Sequence, residues 1–167
     1  MPIFRGDGFV PDEWRSLAQT EELPPGGRVI LTLPQWQAIR RHVQSDIPLG
    51  LLIEPGQDMR TIAPDLARFA LVAIAFPKFT DGRGYSLARQ LRDHFSFVGE
   101  LRATGEVLFD QLQLLARCGF DSFDVKDAVA IRLLEEGRRP SLGIFYQPGL
   151  GPEIPERTRP WARRAAS

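Results

Sequence analysis

The chain is poor in the residues that carry self-contained redox and metal chemistry. Its 167 residues include one cysteine, Cys118, and two histidines, His42 and His94. One cysteine excludes an internal disulfide and a Cys-x-x-Cys redox pair, and an iron–sulfur cluster ordinarily takes about four thiolates. The histidines stand in no zinc-ligand spacing with each other or with Cys118. Neither G-x-G-x-x-G nor G-x-x-x-x-G-K-[ST] is present, so no cofactor is identified in the sequence. No apolar run approaches the roughly 18–20 residues of a membrane span. The opening MPIFRGDGFV has neither the basic region nor the apolar stretch of a signal peptide. A cytoplasmic protein without a membrane partner is expected. A charge excess is missing too: 21 Lys and Arg balance 21 Asp and Glu, leaving no global field to recruit nucleic acid.

What is present is the composition of one globular domain, 43% hydrophobic and 25% charged. Short apolar runs alternate with helix-like segments, the rhythm of repeated βα units and a mostly parallel sheet. Strands are expected at Arg28–Leu33, Leu49–Glu54, Ala70–Phe76, Glu100–Thr104, Ser122–Lys126 and Leu142–Gln147. Helices are expected around Pro34–Gln44, where Trp36, Ile39 and Val43 share a stripe, and around Leu108–Phe120, ending at Gly119. Cys118 falls on the stripe of that second helix, as a small buried hydrophobe. A further helix around Ala128–Gly137 ends by the same glycine device. Residues 1–147 read as a single α/β domain. Residues 148–167, dense in Pro, Gly and Arg, read as a flexible tail, with a docking peptide around Trp161 as the alternative.

Two strands carry a polar face. Leu101 and Ala103 alternate with Glu100, Arg102 and Thr104, and Phe123 and Val125 alternate with Ser122, Asp124 and Lys126. If the two are neighbours, Arg102 and Asp124 can pair across them, on a solvated sheet or inside a barrel. A complete eight-fold βα barrel takes about 250 residues, more than this chain has. A partial-barrel-like sheet is therefore expected, with a flavodoxin-like open sheet as the alternative.

In either architecture ligands gather beyond the carboxyl ends of the strands. Glu54, Lys78, Glu106 and Lys126 stand there, and the third strand runs into PKFTDGRGYS. Gly82 and Gly84 free the backbone, Ser86 serves as an N-cap, and the helix it starts aims its positive end at the turn. With Lys78, Arg83, Gly84, Ser86 and Arg102, this reads as a site for a sulfate, phosphate or carboxylate. The catalytic candidates are Lys78, Asp81, Arg83 and Glu106. Asp81 either orients Arg83 or acts as a base with a raised pKa. The plainer reading is an Asp–Arg pair that holds a loop together. Both histidines are expected within amphipathic helices, and Glu106 and Asp110 on one helix as a solvated acidic turn.

The stretch FPKFTDGRGYSLARQLR (Phe76–Arg92), followed by GELRATGEVLFDQLQLLARCGFDSFDV, resembles the bacterial domain-of-unknown-function family 934 over about residues 20–147. Genes of that family commonly lie beside sulfite reductase in assimilatory sulfur operons, and members are often described as oxidoreductases. The resemblance implies a role in sulfate assimilation. Its motif residues here are Pro77 to Ser86, with Arg102, Gly105, Asp110, Gln111, Cys118, Gly119 and Phe120. Three functions stay open. The first is an accessory protein that binds a small oxyanion or phosphorylated ligand and assists sulfite reductase, its expected partner. The second is an enzyme, oxidoreductase or other, acting on a small anionic metabolite. The third is a structural or interaction protein with no small-molecule site.

Overall fold

In the computed structural model, the described residues are 2–19, 21–43 and 47–140. Eight strands form one sheet: β1 (Ile3–Arg5), β2 (Gly8–Val10), β3 (Trp14–Ser16), β4 (Arg28–Thr32), β5 (Leu49–Ile53), β6 (Phe69–Phe76), β7 (Glu100–Gly105) and β8 (Ser122–Phe123). Their spatial order is β2-β1-β8-β7-β6-β5-β4-β3. From β3 to β8 each strand lies parallel to its neighbour, whereas β1 joins β8 and β2 antiparallel. The sheet is thus mixed, not the mostly parallel one expected. Its order from β3 to β8 follows the chain with no reversal, so there is no flavodoxin-like switch point.

The connection from β2 to β3 forces the sheet to curl. These strands occupy opposite edges, yet only Pro11, Asp12 and Glu13 join Val10 to Trp14. Four residue steps reach at most about 14 Å. A flat sheet of eight strands, at about 4.8 Å per strand, is roughly 34 Å wide. The edges therefore swing toward each other, and the sheet takes the shape of a half-barrel.

Helices α1 (Leu33–Ile39), α2 (Arg83–Asp93) and α3 (Leu112–Arg117) connect β4 to β5, β6 to β7 and β7 to β8; two 3-10 helices, Met59–Thr61 and Ala63–Arg68, connect β5 to β6, and α4 (Ala128–Glu135) follows β8. Pro34 sits in the first turn of α1, and the Gln35 carboxamide accepts the Thr32 N–H at 2.8 Å, which starts the helix at the strand end. Helix α3 stops before Gly119, and α4 before Gly137, both at positive φ. All are shorter than the usual crossover helix except α2. The main core lies between the sheet and the helices: Val29, Leu51, Ile74, Phe76 and Leu101 pack with Trp36, Leu91, Leu115 and Leu134.

The opposite, concave face is divided. On β4 to β6 it is apolar, with Ile30, Leu52, Leu71 and Ala73 gathered around Trp14. Gly50 makes this possible, because a Cβ there would lie 3.2 Å from Cζ3 of the Trp14 ring. On β7 and β8 the same face is polar, as the alternation predicts. Strands β1, β2 and β3 went unpredicted because each is three residues long, too short for a period-two signal. The expected strand Ser122–Lys126 pairs only at Ser122 and Phe123; Asp124 still donates its N–H to the Ala103 carbonyl before the chain turns off toward α4. The strand expected at Leu142–Gln147 and the tail 148–167 lie outside the described residues. No helix among the described residues is long and apolar enough to cross a membrane.

Candidate functional site

Strand β6 ends at Phe76, where Pro77 offers no N–H to continue the ladder. A turn follows, with the Asp81 N–H donating to the Lys78 carbonyl at 3.0 Å. Helix α2 then begins at Arg83 with Gly82 as N-cap, a full turn earlier than the expected start at Ser86. The Asp81 carboxylate explains the shift, since its Oδ1 takes the Arg83 N–H at 3.1 Å and satisfies a first-turn donor there. Ser86 is consequently inside the helix and is not its cap.

Gly84 has a different job from the one the sequence suggested. A Cβ at this position would fall 2.5 Å from Cζ of Phe76, so the glycine lets α2 settle onto that buried ring. It is a packing residue within the helix, not a loop residue that turns its amide to a ligand.

Asp81 and Arg83 form a closed fork, Nε to Oδ1 at 2.9 Å and Nη2 to Oδ2 at 2.7 Å. The Asp81 side chain is 13% exposed and that of Arg83 is 65% exposed. The hydrogen bonds from Arg83 hold the Asp81 carboxyl below its ordinary value and in turn raise Arg83. That direction is opposite to the one a base near neutrality requires, and it matches the orienting role. Arg83 Nη1 has no partner among the described residues and lies beside the loop after β5, 3.3 Å from where a Gly56 Cβ would stand. Lys78 is exposed and makes no ion pair among the described residues.

Glu106 is not on a helix with Asp110. It follows β7 at a bend, while Asp110 lies in a short 3-10 turn, Phe109–Gln111. The Glu106 side chain reaches the turn after β6: its Oε2 accepts the Phe79 N–H at 3.0 Å, and Gln111 Nε2 donates to the Phe79 carbonyl at 2.7 Å. Both backbone groups of Phe79 are thereby held by side chains from the GEVLFDQ stretch. Gly105 sets up this clasp with φ +97; the Glu106 N–H after it donates to the Phe76 carbonyl at 2.8 Å. The Phe79 ring itself is 46% exposed.

Arg102 does not join this turn. It points into the half-barrel, 4% exposed, with Nη1 on Asp12 at 2.9 Å and Nη2 on Glu100 at 2.9 Å. Ser122 donates to Glu100 at 2.6 Å, and Arg5 pairs with the same carboxylate. Burial pushes the Glu100 carboxyl up, but the hydrogen bonds from Ser122 and Arg5 and the charge of Arg102 outweigh it, leaving it below its ordinary value. The expected partner, Asp124, instead takes the Thr104 hydroxyl at 2.8 Å and Lys126 at 3.2 Å. Register is the reason: Arg102 stands opposite Ser122, and Asp12 arrives over the curled edge.

His94 caps the end of α2 and His42 lies in an exposed turn after α1. Cys118 follows α3, half-buried, and burial pushes its thiol up, away from a reactive thiolate. Among the described residues no cluster of His, Cys, Asp or Glu is placed to hold a metal ion. A groove of about 460 Å³ opens at the carboxyl ends of β6, β7 and β8, lined by Phe76, Pro77, Gly105, Glu106, Val107, Leu108, Lys126 and Asp127. Of its charged residues Asp127 went unpredicted; its place before AVAI, as the N-cap of α4, was the available signal. A second groove, of about 570 Å³, lies between α1 and the loop after β3, lined by Leu17, Leu23, Ala38, Ile39 and the two glutamates Glu21 and Glu22 among others.

Residues 50–156 match a family described as a bacterial protein of unknown function, DUF934. The match begins later than residue 20 and continues past residue 147, into the stretch read as a tail. No curated protein matches the chain. No solved structure matches it either.

Proposed function

Because the chain belongs to the bacterial DUF934 family, we propose that it is a cytoplasmic accessory protein of assimilatory sulfite reduction that docks onto a partner through the Pro77–Arg83 turn. The observation that carries this reading is the clasp on Phe79. A half-exposed aromatic ring normally loses rotamer and backbone freedom on binding, and that entropy opposes association. Here the peptide is already held from both sides, by Glu106 and by Gln111, before any partner arrives. The same turn carries Lys78, with no ion pair among the described residues, and ends at Arg83, fixed by Asp81 and with no partner for Nη1 among the described residues. A pinned aromatic and an oriented arginine on one turn are residue types enriched at protein interfaces. The same two cations keep a small oxyanion or an acidic partner side chain within the proposal.

The partner named by the resemblance is sulfite reductase. The test is co-purification of that enzyme from the same bacterium with wild-type protein, Phe79→Ala and Arg83→Ala. Growth of a deletion strain on sulfate, sulfite or sulfide is scored in parallel. Capture by wild type, its loss in both variants and growth of the deletion strain on sulfide alone are expected. Normal growth of the deletion strain on all three sources refutes the pathway. Undiminished capture by Phe79→Ala refutes the docking element.

One observation favours a second reading, an enzyme acting on a small anionic metabolite at the strand ends. The groove of about 460 Å³ beyond β6 to β8 sets an ammonium, Lys126, beside apolar lining, and the carboxylates of Glu106 and Asp127 there restrict it to an anionic metabolite that also carries a cationic group. Turnover of such a metabolite by purified protein, abolished by Lys126→Gln and retained by Phe79→Ala, decides for it.

A further inference from the structure

The charges of the strand-end groove do not suit a plain oxyanion. Glu106 and Asp127 line it together with a single cation, Lys126, whose ammonium already faces Asp124 at 3.2 Å. Carboxylates outnumber the ammonium, so a sulfate or phosphate entering alone meets net repulsion. A divalent cation is no better served, since no metal-holding cluster exists among the described residues.

Each charged group is half used. Among the described residues, Glu106 gives Oε2 to the Phe79 N–H and Oε1 to no donor, and Asp127 gives Oδ1 to the Ala130 N–H at 2.7 Å and Oδ2 to no donor. Lys126 has three N–H donors and, among the described residues, one carboxylate within reach, that of Asp124. These structural bonds fix the orientation of the carboxylates while leaving a lone-pair face on each. Between them the lining is apolar: Pro77 and Leu108, over the nearly covered Phe76 and Val107.

We propose that this groove binds a small amino-acid-like zwitterion, its ammonium on the remaining oxygens of Glu106 and Asp127, its carboxylate on Lys126, and its side chain over Pro77 and Leu108. The juxtaposition of fixed acceptors, one donor cation and an apolar floor in a cavity of about 460 Å³ is the complement of that one ligand class. The groove shares Pro77 and Glu106 with the docking turn and its clasp, and Phe79→Ala, outside the groove lining, separates the two readings.

The test is amide-resolved NMR titration of the full chain at neutral pH with L-leucine as probe. N-acetyl-L-leucine, which lacks the ammonium, and L-leucinamide, which lacks the carboxylate, are the paired controls on wild-type protein. Saturable shifts centred on Val107, Leu108 and Lys126 are expected with L-leucine. Each control is expected to bind about tenfold or more weakly, the loss of one charge-assisted contact. Glu106→Gln and Asp127→Asn keep the bonds to Phe79 and Ala130 and remove only the charge, so they report on binding in a folded protein; each weakens L-leucine in the same range. Three results overturn the proposal: no saturable shift at millimolar L-leucine, equal binding of either control, or tighter binding of sulfite or sulfate at these same residues. Loss of partner capture by Phe79→Ala with L-leucine binding intact shows that the two sites are separate.

Discussion

Replacing Arg102 by methionine removes the hub of the charge network inside the half-barrel. The guanidinium is 4% exposed and serves two carboxylates, Asp12 and Glu100, whose side chains are 18% and 15% exposed. Breaking a buried pair by deleting one partner costs about 3–5 kcal/mol, because the remaining charge is left without compensation. Both acids keep some support: Glu100 retains Ser122 and Arg5, and Asp12 retains the Trp14 N–H at 3.1 Å. The low end, about 3 kcal/mol, is therefore expected at pH 7. With total stabilities of about 5–15 kcal/mol, that is a large fraction of the fold's margin. Urea denaturation followed by circular dichroism reads it as a fall in midpoint of about 1–2 M, taking a slope of roughly 2 kcal/mol/M. The pH dependence checks the cause. Glu100 has a folded pKa below its ordinary value, so its contribution is present above the unfolded value of about 4.3 and is lost as pH falls through the folded one. The cost of Arg102→Met is then full at pH 7 and shrinks below about pH 4, once the stranded Glu100 carboxyl protonates. A loss under about 1 kcal/mol at pH 7, or an equal loss at both pH values, would refute the argument that uncompensated charge is what the arginine prevents.

Other substitutions probe the turn and its supports. Gly105→Ala places a Cβ 2.4 Å from the Phe76 carbonyl at φ +97, and a loss of at least about 2 kcal/mol in the same denaturation assay is expected. Gly84→Ala gains up to about 1 kcal/mol of helix propensity but drives a methyl to 2.5 Å from the Phe76 ring; overpacking wins, and a net loss of about 1–2 kcal/mol is expected, recovered in part by Phe76→Leu. Phe79→Ala should leave stability within about 0.5 kcal/mol, because the ring is half exposed and the clasp involves its backbone; a larger loss would show that the ring is part of the core. Cys118 should react with an aromatic disulfide reagent far more slowly in the native than in the urea-unfolded chain at pH 8, since burial raises its pKa; equal rates would contradict its half-buried place after α3.

Much of the frame was legible along the chain. The apolar runs at β4, β5 and β6 and the alternation in β7 announced themselves because a strand buried on both sides is continuous and one with a polar face alternates. Gly119 and Gly137 ended α3 and α4 as read, each needing positive φ. The candidate turn does follow β6, but its parts were assigned by local grammar. Ser86 looked like a cap because serine commonly is one, whereas Asp81 two residues before Arg83 captured the helix start first. Gly84 looked like loop material, and only the approach of Phe76 explains it. Glu106 and Gln111 carried no signal as a clasp, since their target, Phe79, lies about 30 residues away along the chain.

By itself the sequence determined the α/β alternation, the polar faces of the two strands at residues 100–104 and 122–126, and the place of the candidate turn at the end of β6, and it left a partial-barrel-like and a flavodoxin-like sheet open. These depend on periodicity and on backbone preferences, which act over a few residues. Tertiary structure alone decided that the sheet is mixed, that Asp12 rather than Asp124 neutralises Arg102, and that Glu106, Lys126 and Asp127 share a groove. Those outcomes depend on a three-residue link drawing two distant edges together, and on side chains meeting across strands. No local pattern encodes a meeting between residues 12 and 102; the curl of the sheet does.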